Sequence, residues 1–551
     1  VYTILARVSD GFALVDDDGQ RETVGEAGLA AAVARREPRH PRWVWDDTAW
    51  WYPRLLEAGV RVERCVDLRL CHAILRNAVS TAASRLATAP PNAWDVPRPP
   101  DRAPAPEALF DFEDGRAEFS EDPVAEYALQ REAVDAAADP SALSLLLAAE
   151  SAGALAAAEM RFAGLPWSAQ VHEALLEATL GPRPGHGARP RAMAELAERL
   201  RDLLESPELN PDSPPDVLRA LRRVGLNVGS TRRWELRTIE HPVIAPLLEY
   251  KKLARLLSAS GWQWLEANVR HGRFHPEYVP GGVVTGRWAS TGGGGALQLP
   301  KQIRGAVIAD PGWKLVVADA SQLEPRVLAA LSGDRSMARA GAGQDMYAGI
   351  VASGAVADRD QAKVAMLGAM YGATTGESGR LMPKLAAAYP SAIALVEEAA
   401  REGERGGVVS TRLGRSSPRP GAAWRDSLAG AYGVEAGDAE ASTARGQARS
   451  WGRFTRNFVV QGSAAEWALC WMAGLRNALF SLAGGAPAPA GPHLVFFMHD
   501  ELVVHAPAGQ TDAVVSAIQR TATEAGRLMF GATPVEFPLT IAVVDRYGDA
   551  K

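Results

Sequence analysis

The chain has 551 residues, too many for one hydrophobic core, so several domains are expected. Hydrophobic residues make up 47% and charged residues 23%, the balance of an ordinary globular protein, and no apolar run reaches the roughly 18 residues that span a bilayer. A net charge of −6 argues against indiscriminate polyanion binding but leaves room for a local basic channel, because phosphate contact depends on where cations sit. The three cysteines, Cys65, Cys71 and Cys470, lack metal-ligand spacing, and the N-terminus lacks the basic flank of a signal peptide. Reduced thiols, a cytoplasmic setting and no membrane partner are therefore expected.

In chain order, residues 1–80 mix short apolar strands (YTILARV, FALVDDD, RWVWDD) with helical pieces, and VDDDGQ reads as a hairpin turn. The proline-dense stretch 87–106 reads as a linker or long loop. An alanine-rich helical region follows over 124–205, broken by proline and glycine at 181–190 and 206–215, and a further helical stretch covers 241–270. The loop GGVVTGRWASTGGGG is too glycine-rich to be the interior of an element. Beyond it come a strand at 315–320, mostly helix over 334–405, an irregular Gly/Pro/Ala-rich insertion at 416–447, and a long helix at about 445–480. The chain ends in a strand–turn–strand around MHDE.

Three segments carry chemistry. In LVVADASQLEPR (315–326) apolar residues lead to Asp319, with Glu324 five positions on; in VFFMHDELVVHAP (495–507) they flank His499, Asp500 and Glu501. Charge at a strand–turn–strand is commonly just a surface hairpin. Carboxylates at the ends of strongly buried strands are costly, however, and bound divalent cations would offset that cost, with oxygen ligands suiting Mg²⁺. Between them, RDQAKVAMLGAMYG places Arg359, Lys363, Leu367 and Tyr371 at successive i+4 positions on one helix face. The two cations suit a triphosphate and Tyr371 a base and sugar, where a lone helix would be read as a solvated basic turn. A second i+4 series, Arg445, Arg449, Arg453, Asn457 and Gln461, suits backbone contact followed by contact with minor-groove acceptors common to every base pair.

These strings together resemble the bacterial DNA polymerase I-type enzymes, family A, from about Glu249 to the C-terminus. The first polymerase motif appears as DASQLEPR and the fingers-helix motif as Arg359, Lys363, Leu367, Tyr371 and Gly372. The His-Asp-Glu motif is His499-Asp500-Glu501, and Thr285-Gly286-Arg287 and Arg453, Asn457, Gln461, Gly462 follow the family's order and approximate spacing. The resemblance implies an α+β multidomain fold: a right hand with an antiparallel palm sheet and helical fingers and thumb, preceded by a small α/β ribonuclease H-like exonuclease domain. The boundaries expected are 1–135 for the exonuclease-like domain, 136–270 for thumb and connecting helices, 271–335 and 451–551 for the palm, and 336–450 for the fingers with their insertion.

The same resemblance implies template-directed addition of deoxynucleotides to a primer 3′-hydroxyl by a monomer that binds primer–template DNA and deoxynucleoside triphosphates. Two Mg²⁺ ions, with Mn²⁺ as an alternative, would be ligated by Asp319, Asp500, Glu501 and the carbonyl of Ala320. Arg359 and Lys363 would hold the triphosphate, Lys363 also acting as an acid toward pyrophosphate, and Gln322, Glu324, Leu367 and Tyr371 would line the nucleotide site. Glu324 and Tyr371 would crowd the sugar 2′ position, which argues against an RNA polymerase. Arg287, Arg326, Arg453, Asn457, Gln461 and His499 would contact DNA.

Several positions depart from the family pattern. Leu367 stands where the family has an aromatic near the incoming sugar, Ala320 where it has a tyrosine, and Pro325 enters the first turn of a helix, where proline is tolerated. These changes leave room for a second reading, a polymerase-derived DNA-binding scaffold. In the N-terminal half the exonuclease motifs are degraded. No Asp-x-Glu sits on the first strand, Tyr127 is followed at the motif spacing by Arg131, DFED (111–114) lies after the linker, and Asp47 and Asp67 read as surface acids. A two-metal nuclease site missing several carboxylates cannot hold its ions, so proofreading is not expected, and the N-terminus is too short for a separate 5′-nuclease domain.

Overall fold

The computed structural model describes residues 1–96 and 122–550, apart from 186, 292–296, 298, 344, 373–375, 432–437 and 487. The DFED segment and most of the proline-dense stretch therefore lie outside the described residues.

The N-terminal half opens with five strands, β1 (Tyr2–Val8), β2 (Gly11–Asp16), β3 (Arg21–Val24), β4 (Arg42–Trp45) and β5 (Cys65–Asp67), in the order β3-β2-β1-β4-β5. The first three form an antiparallel meander, and β4 and β5 run parallel to β1. Leu5, Leu14, Trp43 and Trp45 are fully buried against helix α1 (Thr48–Glu57), which contributes Trp51, Tyr52 and Leu55. This is the small α/β domain expected there.

Asp67 and Asp47 are not surface residues: the first is buried and the second half-buried. Asp67 is only 3% exposed and caps helix α2 (Leu68–Asn77), accepting from the Leu70 N–H at 3.0 Å and the Thr48 N–H at 2.7 Å. Asp47 caps α1 through the Ala49 N–H. Asp46, 2% exposed, is neutralised by Arg7, whose guanidinium stands 2.6 Å away on β1. The chain turns from strand to helix at both positions and leaves N–H groups that a short carboxylate satisfies, which an acid count along the sequence does not reveal.

Helices α3 (Pro123–Asp135) and α4 (Pro140–Ala163) lead to the C-terminal half. Alone among the described helices, α4 is long and apolar enough to cross a membrane by length and composition. It is a core helix, with Leu146, Leu155, Ala156 and Met160 fully buried. Ala169–Leu180, Arg191–Leu203, Pro214–Arg223 and α5 (Ile244–Ser260) then build a helical layer whose apolar faces meet around Leu176, Leu200, Leu221 and Tyr250.

A second sheet organises everything after residue 300. Its strands are β6 (Trp313–Ala320), β7 (His493–Met498), β8 (Glu501–Pro507) and β9 (Leu539–Val544), antiparallel in the order β7-β8-β6-β9. Both faces are buried, so β6 and β8 read as continuous apolar runs. Val316, Ala318, Leu502 and Val504 face one core, and Leu315, Val317 and Val503 face the core that holds α5.

Between β6 and β7 the chain is helical: α6 (Leu323–Ser332), α7 (Met346–Ala352), α8 (Arg359–Tyr371), α9 (Pro390–Glu404), α10 (Ala422–Ala431) and α11 (Asp438–Leu482). The stretch expected to be an irregular insertion thus contains α10 and the start of α11. Alanine there stabilises helix more than its scattered glycines disrupt it. Helix α12 (Thr511–Phe530) packs on α11 through Ile518, Thr521 and Trp471.

Candidate active site

Two tight connections at one end of the second sheet build the site. Strand β6 ends at Asp319 and Ala320, and the β7–β8 hairpin closes on a two-residue turn, His499-Asp500, between paired Met498 and Glu501. Asp319 pairs with Glu501 across the ladder, and the Ala320 N–H donates to the Asp500 carbonyl at 3.0 Å. Two residues far apart in sequence, Asp319 and Asp500, are thereby held on neighbouring strand ends. Both flanking turns include a non-glycine residue with positive φ, Gln322 at +55° and His499 at +62°. Such backbone costs about 1–3 kcal/mol each and persists only where its surroundings fix it.

Glu324, in the first turn of α6, gathers groups from two other segments. It accepts from the Tyr371 hydroxyl at 3.0 Å and from the Arg287 guanidinium. Burial and the Glu324 carboxylate both raise the Tyr371 phenol above its ordinary range. Burial, then Arg287, lowers the His499 imidazole against the opposing pull of Glu324, so His499 is neutral at pH 7. A cleft of about 340 Å³ opens here, walled by Arg287, Gln322, Glu324, Leu367, His499 and Asp500.

Helix α8 forms as its pattern requires. Asp358 caps it through the Gln361 N–H, Ala362, Ala365, Met366 and Met370 are buried, and left-handed Gly372 ends it. Arg359, Lys363 and Tyr371 remain exposed, with Leu367 half-buried between them. Arg359 already has a partner, Asp345, at 2.7 Å, and its guanidinium lies 5.5 Å from the Tyr347 ring centroid. Burial raises the Asp345 carboxyl, but hydrogen bonds from Arg359 and Gln322 outweigh it and hold the group below the usual range.

Gln322 bonds Asp345 and the Met346 N–H. Asp345 and Tyr347 escaped the sequence reading; the available signal was an acid placed to cap α7. Along α11, Arg445, Arg449 and Arg453 are exposed while Asn457 and Gln461 are half-buried, so the stripe runs from solvent inward. A Cβ on Gly372 would stand 2.7 Å from the Arg453 Cγ, so glycine there lets the arginine cross the end of α8.

Two expected site residues lie elsewhere. Arg326 is fully buried and donates to the carbonyls of Ser321, Gly341, Gly343 and Glu536 at 2.6–3.1 Å, so it braces the turn after β6 and cannot reach DNA. It points inward because α6 packs that face against the loop before α7, a tertiary contact with no sequence signature. Glu501 is 1% exposed, held by the Tyr547 hydroxyl and 3.5 Å from Arg304, which removes it from the open donor set. It points to the same face as Val503, toward the α5 core.

Residues 190–544 match the family model for DNA polymerase family A. The chain belongs to this family. Among its curated relatives, a thermostable DNA polymerase I from Thermus aquaticus is 30% identical over 338 residues, covering 55% of this chain and 36% of the relative. One from Thermus filiformis is 28% identical over 335 residues, with the same coverage, and a DNA polymerase I from Chloroflexus aurantiacus is 28% identical over 346 residues. The chain thus spans about a third of the length of the curated relatives it matches. In fold it is similar to the POL domain of Pol1 from M. smegmatis, solved with DNA primer-template and dNTP: TM-score 0.68, 18% identity, covering 100% of this chain and 96% of that one. The likeness assigns the family A right-hand fold to the chain, with the antiparallel sheet as its palm.

Family A polymerases use divalent metal ions, and the donors here suit them. Asp319, Asp500 and the Ala320 carbonyl offer oxygen alone, and among the described residues no group of three or more His, Cys, Asp or Glu could hold a metal. Two carboxylates completed by substrate phosphates and water are what Mg²⁺ takes.

Proposed function

We propose that this chain is a template-directed DNA polymerase that adds deoxynucleotides to a primer 3′-hydroxyl, using two Mg²⁺ ions held by Asp319, Asp500 and the Ala320 carbonyl. The observation that carries the reading is the convergence of Asp500, Glu324 and Arg287 on one cleft, with Tyr371 bonded to Glu324 and Asp319 on the neighbouring strand end, beside a cationic helix face. Bound there, the ions would lower the pKa of the attacking hydroxyl and stabilise phosphoryl charge.

The chain's own residues do the rest. Arg359 and Lys363, one helical turn apart, bind the triphosphate, and Lys363 carries a proton that it can give to departing pyrophosphate. Glu324, fixed by Tyr371 and Arg287, occupies the space a ribose 2′-hydroxyl would need. Neutral His499 at the hairpin tip lies beside the primer end, and Arg287 and Gln461 donate to the minor groove of its last base pair. The Arg445–Arg449–Arg453 stripe tracks the DNA backbone. In the N-terminal domain, Arg7 on Asp46 and the capping roles of Asp47 and Asp67 leave no carboxylate set for a proofreading nuclease among the described residues, so we read that domain as structural.

The test is extension of a labelled primer–template with Mg²⁺ and four deoxynucleotides. The wild-type protein extends the primer; Asp319→Asn and Asp500→Ala bind it with undiminished affinity and extend it at least ~10³-fold more slowly. Tight binding without extension by the wild-type protein would favour a DNA-binding scaffold.

A further inference from the structure

Arg287 and Gln461, the two donors assigned to the primer-terminal minor groove, come from unrelated segments. Beneath both lies a buried charged pair. Glu150 of α4 is 1% exposed and accepts from the Arg415 guanidinium at 2.5 Å. Burial pushes the Glu150 carboxyl up even with Arg415 opposite it.

Arg415 ends a small hairpin in which the Thr411 N–H donates to the Arg415 carbonyl and the Ser417 N–H to the Val409 carbonyl, both at 2.8 Å. This hairpin is pinned to α11, one turn beyond Gln461. The Arg412 N–H donates to Ser463 Oγ at 2.9 Å, and the Leu413 N–H and Thr411 hydroxyl donate to Glu466. At Gly462 a Cβ would stand 2.4 Å from Thr411 Cγ2 and 3.2 Å from the Thr285 carbonyl.

On its other side the pair touches the turn that presents Arg287. That turn is closed by Gly286 N–H to Val283 carbonyl and Val283 N–H to Arg287 carbonyl, at 2.8 and 3.0 Å. A Cβ on Gly286 (φ +83°) would lie 2.7 Å from Arg415 Nε, and one on Gly281 (φ +62°) 2.7 Å from Glu150 Oε1. The charged groups therefore lie against main chain where no side chain fits.

We propose that the Glu150–Arg415 pair is a positioning device that sets the Arg287 turn and the Gln461 helix turn in register, so that both side chains meet the last primer base pair together. This rests on the polymerase reading above. A buried ion pair contributes little net stability compared with apolar residues, so its value here is geometric. A planar guanidinium lies flat against the Gly286 backbone while keeping its carboxylate, which an ammonium group cannot do.

The test compares Arg415→Lys and Glu150→Gln with Glu159→Gln, which breaks another buried pair (Arg476–Glu159, 2.7 Å) whose residues line no part of the cleft. Single-turnover extension is measured from matched and mismatched primer ends, with nucleotide KM and thermal midpoint. Arg415→Lys and Glu150→Gln lose about tenfold in rate on matched ends and about tenfold in match-to-mismatch ratio, with KM held within about twofold. Glu159→Gln lowers the midpoint without moving the ratio. Added to Arg287→Ala, Arg415→Lys costs little more, because one function has already been lost.

Multiplicative losses in that double variant, or an equal loss of discrimination in Glu159→Gln, overturn the positioning role. If Arg415→Lys does not fold, Glu150→Gln decides alone. Wild-type protein that extends neither primer overturns the polymerase reading and the positioning role with it.

Discussion

On the proposed reading sugar selection turns on Glu324, whose carboxylate is held from two sides, by the Tyr371 hydroxyl and the Arg287 guanidinium. Glu324→Ala removes the obstruction and leaves both partners without their acceptor. Discrimination against ribonucleotides should fall by about 10- to 100-fold, read as the ratio of kcat/KM for a ribonucleotide and its deoxy counterpart. Leu367, half-buried on α8 and lining the same cleft, presents branched aliphatic bulk where the family motif it resembles leads one to expect an aromatic ring. Leu367→Phe should shift dideoxynucleotide incorporation relative to the parent, measured as termination frequency along a template; equal frequencies would leave the position without a role in sugar choice.

At the scale of single elements, turns from strand to helix bury charge. Asp67 shows the cost. Burial, then the neighbouring Asp47 carboxylate, raises it to about 7, against the N–H bonds from Thr48 and Leu70 that favour ionisation. Its folded pKa stands above its unfolded one, so the native state holds the extra proton. The stabilisation is complete below the ordinary aspartate range and is lost as pH rises through about 7. The thermal midpoint of the wild-type protein should therefore drop between pH 6 and pH 8. Asp67→Asn, which keeps one capping oxygen, should flatten that drop, and an unchanged slope would assign it to other groups.

Across the whole molecule, what was legible in sequence were features with a local period. The i+4 face of α8 and the two acid-tipped strands needed only spacing to be read, and they bring Leu367 and Asp500 to one cleft, while the glycines beside Arg287 and Gln461 came with the family resemblance. What was not legible depended on packing between distant segments. Arg326 reads like a DNA contact until four carbonyls from three loops surround it, and Glu501 like a ligand until Tyr547, 46 residues on, takes its carboxylate. Asp345 and Arg415 carry no motif because their partners lie 14 and 265 residues away.

Net charge is equally uninformative at this scale: a chain of −6 presents Arg445, Arg449 and Arg453 in one row. Affinity for primer–template should fall linearly with salt on logarithmic axes, and Arg449→Ala should reduce the slope by about one, since one phosphate contact is lost. In the absence of nucleotides the labelled primer should keep its length, and shortening would restore a nuclease role to the N-terminal domain.

The Asp345–Arg359 pair bears on how the cleft treats the anions of its surroundings. A carboxylate tethered beside the guanidinium acts as a resident competitor, at an effective concentration of millimolar or above. Free phosphate, chloride or sulfate at ordinary levels has to displace it with one contact and gains little. A triphosphate that engages Lys363 in the same step displaces it with two. On the proposed reading, a substrate that makes both contacts is thereby favoured over small anions that make one.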